Sequence, residues 1–563
     1  MSATKTNRRR FVIGAVGSFI SASRSRAQNT NSLNPGPSSF RVTVSLNGET
    51  YSYPDGPKIP SYFVGFREDG RVVFHLGALG QLGKKRVQPA PYHLGPHHVK
   101  IEKDGVVLFE INVQAHWWNA EWTFRPAKLT PKKTPAQIVA ANRMFSFGNI
   151  GARIGETAKF TYKGPMDSAG ITIYMPTTGE RPDIGLITDP SANFMLTGNG
   201  NSMLAWAQAG GSCPVHFRDE ATGRPIDLIK YPQANSYADH NQGEPWLDYG
   251  PPTPTSNGYH QFGGGWTPQQ AHYCEMSYLA HVATLDMGFL EDLQYSANFT
   301  TGICDASHST PAKTITSGEL RGLAWAFRNL FMAHVATQDA EAGGTLPASC
   351  LPSAYWKKLL DDQLAYYKPN MADPNNQTFR LVPGGDRFGP WQVDYMLMSL
   401  AFGVLTGHAD WTSFYVWALG NAIARTNGTS GYPPGWGGAY YLNTCEWMKG
   451  PDGKPDQNRF DHTKRLDWRG TFLYQQSDPN GGQPTAAQIA SLNSDPLNGG
   501  KAIVGNEYLM TTRAVLVMAA ALEKKGLANI RASYPELDKC ITNVERMVRN
   551  YGSVNPRASV LVG

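Results

Sequence analysis

Between Gly265 and Phe299 the chain reads GWTPQQAHYCEMSYLAHVATLDMGFLEDLQYSANF, which places His272 and Glu275 three positions apart behind a run of helix-start residues. Thr267 and Gln270 have the spacing of a capping box and Pro268 suits a first helical position, so the stretch predicts a helix beginning at Thr267. In such a helix His272 and Glu275 share a face, and the positive end of the helix dipole favours the neutral imidazole that a general base requires. The same residues also suit an ordinary helical hairpin containing a structurally bonded histidine.

Three further segments place polar side chains near the starts of otherwise apolar helices. Arg321 and Trp325 lie in SGELRGLAWAFRNL; Trp391, Gln392, Asp394 and Tyr395 lie in PWQVDYMLMSLAFGVL; Glu507 and Tyr508 lie in VGNEYLMTTRAVLVMAA. Helix starts converge if the helices line the inside of a ring, and the result is a polar cleft with aromatic walls. Asp394 is equally suited to complement a helix dipole, and Arg321 to pair a loop carboxylate. A shorter cluster, GGSCPVHFRDEATGRP, alternates so that His216 and Arg218 face one way and Phe217 and Asp219 the other. His216 and Arg218 can bind a carboxylate or sugar hydroxyls, or tie the loop to its surroundings.

Two chemistries fit these residue types, and the sequence ranks them nearly level. Hydrolysis of a glycosidic bond needs a general acid and a second carboxylate; Asp394 is the first candidate, with Glu275, Asp219 and Glu507 as candidate partners. β-Elimination from a uronide needs a cation facing the sugar carboxylate, Arg321 or Arg218, and a group that moves the proton, His272, His216 or Tyr395. Trp325, Trp391 and Gln392 are substrate-contact candidates in either case. A glycan-binding or envelope-assembly protein without catalysis would use the Trp and Tyr residues as stacking platforms. The chain has no G-x-S-x-G elbow, P-loop, H-E-x-x-H, Rossmann fingerprint or EF-hand loop. Its six cysteines form no C-x-x-C pair, so neither cofactor nor metal is expected.

The elements that must position these residues fall into two textures. From 38 to about 187 the chain has strand chemistry, with NG and DG at hairpin-turn positions and a later strand-like section, AKFTYKG with AGITIYMP, so a β-sandwich-like domain is predicted. From 188 to 563 helical periodicity takes over, with about ten to twelve helices expected. Three links resemble one another, MLTGNGNSMLAWA, VATLDMGFLEDLQ and GVLTGHADWTSFYVWALG, and predict repeated helical hairpins. The loops at 231–266, 369–390 and 427–484 are rich in Gly, Pro, Tyr and Trp, and are expected at the mouth of a cleft.

Residues 1–27 carry TNRRRF, a short apolar stretch and small residues, the pattern of a twin-arginine export signal, with 28–37 as a linker. The apolar stretch is too short for a stable membrane anchor. All six charges of the formal +6 balance lie there, on Lys5, Arg8, Arg9, Arg10, Arg24 and Arg26, so the remainder is about neutral. No basic field is left for nucleic acid or an anionic membrane surface. A periplasmic or secreted location follows, with the twin-arginine machinery as export partner and a polysaccharide or oligosaccharide as substrate.

The segments RPDIGLITDPSANFMLTGN, GGSCPVHFRDEATGRP, WTPQQAHYCEMSYLAHVATLDMGFLEDLQYSANF, ELRGLAWAFRNL and PWQVDYM, within about 180–400, resemble a group of uncharacterised exported bacterial proteins. That group is similar to the (α/α) toroid class of carbohydrate-active enzymes, polysaccharide lyases and glycoside hydrolases with an N-terminal β-domain. The resemblance implies an α+β multidomain chain with an (α/α) toroid after the β-domain, and it implies a fold more firmly than a reaction. It also implies an acid where this chain has Gln270 and a smaller polar residue where it has Glu275; if that acid is catalytic in relatives, either Glu275 replaces it or the activity differs.

Overall fold

The computed structural model describes residues 39–77, 93–148, 160–177, 181–219, 222–232, 234–235, 253–254, 260–261, 263–304, 314–316, 319–373, 376, 379, 381, 387–434, 442–476, 486–494, 506–549 and 556–562. The expected export signal, the linker, most of the 231–266 loop and the side chain of Glu507 lie outside the described residues.

The architecture is mixed α and β, with antiparallel sheets first and helices after. Strands β1 (Phe40–Leu46), β2 (Glu49–Tyr53), β3 (Tyr62–Phe66), β4 (Val72–Leu76), β5 (His93–Leu94), β6 (His97–Lys103), β7 (Val106–Val113), β8 (His116–Trp117) and β9 (Ala120–Phe124) form two main sheets, ordered β2-β1-β6-β7 and β3-β4-β9, while β5 pairs with β8. Both predicted hairpin turns are present: Asn47-Gly48 and Asp104-Gly105 take positive φ at both residues, which Asn, Asp and Gly tolerate best. Alternation sends Val42, Val44, Val99 and Ile101 of one sheet and Val64, Phe74 and Trp122 of the other into one shared core. Each such side chain contributes about 1.5–3 kcal/mol on full burial. The second sheet is also covered on its opposite face, so His75 of β4 and Glu121 of β9 are buried too.

The helices are α1 (Pro135–Ala140), α2 (Asp189–Thr197), α3 (Asn201–Gly210), α4 (Tyr278–Thr284), α5 (Met287–Asn298), α6 (Leu320–Ala342), α7 (Ser353–Tyr367), α8 (Pro390–Leu405), α9 (Thr412–Thr426), α10 (Trp468–Gln476), α11 (Ala486–Ser494), α12 (Asn506–Lys524), α13 (Ile530–Ser533) and α14 (Leu537–Arg549). The three similar links join α2 to α3, α4 to α5 and α8 to α9, as expected, and each passes through one left-handed residue: Gly198, Leu285 and Gly407. Helix α6 packs on α5, α7 and α8, α8 on α9 and α12, and α12 on α14. The last described residues run back to the start of the helical part. Arg513 of α12 donates to the Val560 carbonyl (3.0 Å), Leu561 N donates to Ser146 O (2.9 Å), and Arg557 donates to the carbonyls of Arg181 and Ile184. No described helix is long and apolar enough to cross a membrane.

The two textures meet across a buried ionic seam. Arg67 forks onto Glu291 of α5 (3.1 and 2.7 Å), Arg125 forks onto Asp286 (2.9 and 3.2 Å), and Arg218 reaches Glu121 (2.5 Å). Burial alone would raise the Glu291 carboxyl, but Arg67 and Arg71 outweigh it and hold the group down at about 2.

Two expectations are corrected. The strand-like section at 160–176 forms no strand: Phe160 and the Ala169 carbonyl serve Trp206 of α3, with rings 4.8 Å apart and an indole hydrogen bond of 3.0 Å. Gly164 and Gly170, both at positive φ, interrupt any extended run there. The helix expected from Thr267 begins only at Tyr278, and Thr267 makes no capping box.

One buried pair makes stability acid-sensitive. His334 Nδ1 of α6 lies 2.7 Å from His408 Nε2 in the α8–α9 link, and His408 Nδ1 lies 3.0 Å from the Gly403 carbonyl. Burial first pushes both to about 4 from 6.5, with Lys357 adding to the effect on His334, and His334 and then Lys357 to that on His408. The unfolded chain takes up protons near 6.5 while the folded one resists until about 4, so stability present above 6.5 is lost as pH falls towards 4. Urea unfolding at stepped pH is expected to show that slope in the wild type and a shallower one in His334→Gln; equal slopes would contradict it.

Candidate functional site

Residues 267–277 cross the start of α6 instead of coiling. Thr267 makes a parallel bridge to Tyr174, and Gln270–His272 forms a single 3-10 turn. The reason is competition for backbone carbonyls. His272 O accepts from Arg181 Nη2 (3.1 Å) and Tyr273 O from Arg328 Nη2 (2.8 Å), two acceptors that a continuous helix would use internally. Gln270 is fully buried and donates to the Thr300 carbonyl (2.5 Å). Glu275 therefore does not share a helical face with His272. Its carboxylate accepts from Tyr278 N at the start of α4, and its pKa is raised by burial, with Arg328 opposing.

His272 keeps a polar setting. Its Nδ1 meets the Gln269 side chain, the Thr177 carbonyl is a further partner, and its pKa is pushed down to about 2 by burial first and then by Arg321 and Arg181. The imidazole is neutral at any working pH.

Around it converge the starts of α6, α8 and α12. Arg321 stacks over Trp391, 5.2 Å from the ring centre, and Trp391 tilts against Tyr508 at 4.9 Å. Tyr395 contacts Trp325 (4.7 Å) and Trp391 (5.7 Å). Pro390 at the first position of α8 fixes where that helix begins and so where Trp391, Gln392 and Tyr395 sit. Arg321 is 3 % exposed and pairs through Nη2 with Glu319 at the rim (2.8 Å). Its Nε, the Trp325 Nε1 and the Gln392 Nε2 are buried donors with no hydrogen-bond partner among the described residues. Buried donors normally find acceptors, so three together are a set suited to an oxygen-rich anion.

No family model, no curated protein and no solved structure matches this chain. The site is therefore read from its own geometry.

The remaining candidates lie elsewhere. Asp394 is engaged by other partners: it is fully buried, bonded to Arg425 Nη2 of α9 and to Thr512 Oγ1 of α12, each at 2.5 Å. Burial raises its carboxyl while Arg425 and Thr512 pull it down. His216 and Arg218 belong to the seam, with His216 Nε2 3.0 Å from Asp292 Oδ1 and Arg218 on Glu121 and the Gly223 carbonyl. Burial alone would lower His216, but Asp292 and Glu121 outweigh it and raise its pKa. Asp219 is buried in the same loop, where its backbone N–H bonds to Arg224 O (2.9 Å). Tyr508, named at the start of its apolar helix, joins the group through Trp391. Arg181 and Gln269 were not singled out from the sequence; they lie in irregular segments where no periodicity points to them.

Proposed function

We propose that this chain is an exported carbohydrate-active enzyme, its helical hairpins arranged as an (α/α) toroid, that cleaves an acidic polysaccharide by β-elimination. Succession of the hairpins α2/α3, α4/α5, α6/α7, α8/α9 and α12/α14, with the C-terminal residues returning from α12 to the segment before α2, supports the ring. Export rests on the twin-arginine pattern of residues 1–27.

The observation that carries the reaction is the division of charge. Asp394 is held by Arg425 and Thr512 and Glu275 Oε1 by Tyr278 N, which disfavours this pair as the two carboxyl groups of hydrolysis, while Arg321, Gln392 and Trp325 offer donors beside Tyr395 and His272. A uronide carboxylate received by Arg321 and those donors would have the negative charge that develops at its α-carbon stabilised. Tyr395 and His272 move the proton: the C5–H bond breaks, its electron pair forms the C4–C5 double bond, the C4–O bond breaks, and the leaving oxygen is protonated. A carboxylate next to Arg321 and Arg181 also offsets the cations that depress His272, so the imidazole becomes more basic when the site is occupied.

A panel of uronic-acid and neutral polysaccharides tests this. Products are expected from acidic members only; breakdown confined to neutral glycans would remove the reading, and binding without breakdown would favour a non-catalytic glycan binder.

A further inference from the structure

A cleft of about 520 Å³ lies where the β-rich part meets α3, apart from the helix-start site. Its floor is aromatic, with Phe109 of β7, Trp122 and Phe124 of β9, and Tyr162. These rings are held firmly: Trp122 stacks on Phe74 with centroids 3.9 Å apart, and Phe109 leans on Phe124 at 5.2 Å. The rim carries Arg125, Lys128 and Lys163, and among the described residues no Asp or Glu lines the cleft. Arg125 is engaged by Asp286, but Lys128 and Lys163 are exposed and, among the described residues, neither forms an ion pair.

Rigid aromatic faces take the apolar face of a pyranose ring, and ammonium groups take carboxylates. Clefts between structural units are common ligand sites. We infer that this cleft is a second subsite for an acidic glycan, with Lys128 and Lys163 receiving sugar carboxylates above the aromatic floor. Its choice of ligand rests on the acidic-polysaccharide reading, but its occupancy does not depend on catalysis. A chain long enough to engage both sites gains effective concentration at the first.

The test uses the full chain carrying Arg321→Ala, so that the helix-start site is impaired, titrated calorimetrically at low salt with a short oligogalacturonate. Binding is expected to persist and to weaken by roughly tenfold or more when Lys128→Glu and Lys163→Glu are added. Both lysines are exposed, so folding is preserved, and added salt should weaken binding in parallel. Affinity unchanged by the charge reversals, or no binding to Arg321→Ala, would overturn the subsite. Tighter binding of an oligonucleotide of equal charge would replace the sugar with nucleic acid. Lysine-dependent binding by a wild type that cleaves nothing would sink the proposed reaction and leave this subsite standing. Cleavage with lysine-insensitive binding would do the reverse.

Discussion

Replacing Arg321 by alanine is expected to lower turnover of an acidic polysaccharide by roughly 10²–10³-fold, the loss that follows removal of one preorganised donor to a developing oxyanion. The fold should tolerate it. The partner left behind, Glu319, is 38 % exposed and remains solvated, so no buried charge is stranded. Arg321→Lys keeps the charge but loses the planar fork over Trp391, and should recover only part of the rate. Steady-state kinetics on one uronide substrate, beside a thermal unfolding scan, separates the two effects. Unchanged kcat in a folded Arg321→Ala protein would dissociate this arginine from the chemistry.

Asp394→Ala should act in the opposite way, through stability. Its carboxylate bonds Arg425 and Thr512 with none of the three more than slightly exposed, and truncating one partner of a buried pair typically costs about 3–5 kcal/mol. Much of that is the uncompensated Arg425 charge, which retains only Asn421 Oδ1 (2.9 Å) among the contacts described. An apolar replacement of both partners, Asp394→Leu with Arg425→Met, should therefore recover a large part of the loss. Chemical denaturation measures the cost, and activity per folded molecule is expected to stay near that of the wild type. Lost activity at unchanged stability would mark Asp394 as a catalytic acid.

Periodicity made the hairpins legible because each link is local: a helix end, a left-handed residue, and a new apolar face. The β-hairpins were legible for the same reason, since Asn47-Gly48 and Asp104-Gly105 specify their own turns. What the sequence misplaced depends on contacts distant along the chain. The helix-start pattern at Thr267 is locally sound, yet Arg181 and Arg328 claim the carbonyls of His272 and Tyr273 from outside the segment. Phe160 likewise answers to Trp206 and not to a neighbouring strand. Convergence of Arg321, Trp391 and Tyr395 followed from their place at helix starts, whereas the turn of Asp394 towards α9 and α12 depended on where Arg425 and Thr512 happened to face it. One helix can thus present Tyr395 to Trp325 and Trp391 and Asp394 to Arg425 and Thr512 on adjacent positions, a distinction of about 100° that residue type alone does not make.

The mass of the products from a defined oligouronide tests the central claim most directly. Elimination conserves mass, so the two fragments from one cut should sum to the parent and one should carry the ultraviolet absorbance of a C4–C5 unsaturated uronide. Fragments that together exceed the parent by one water, without that absorbance, would contradict the account and return the site to hydrolysis.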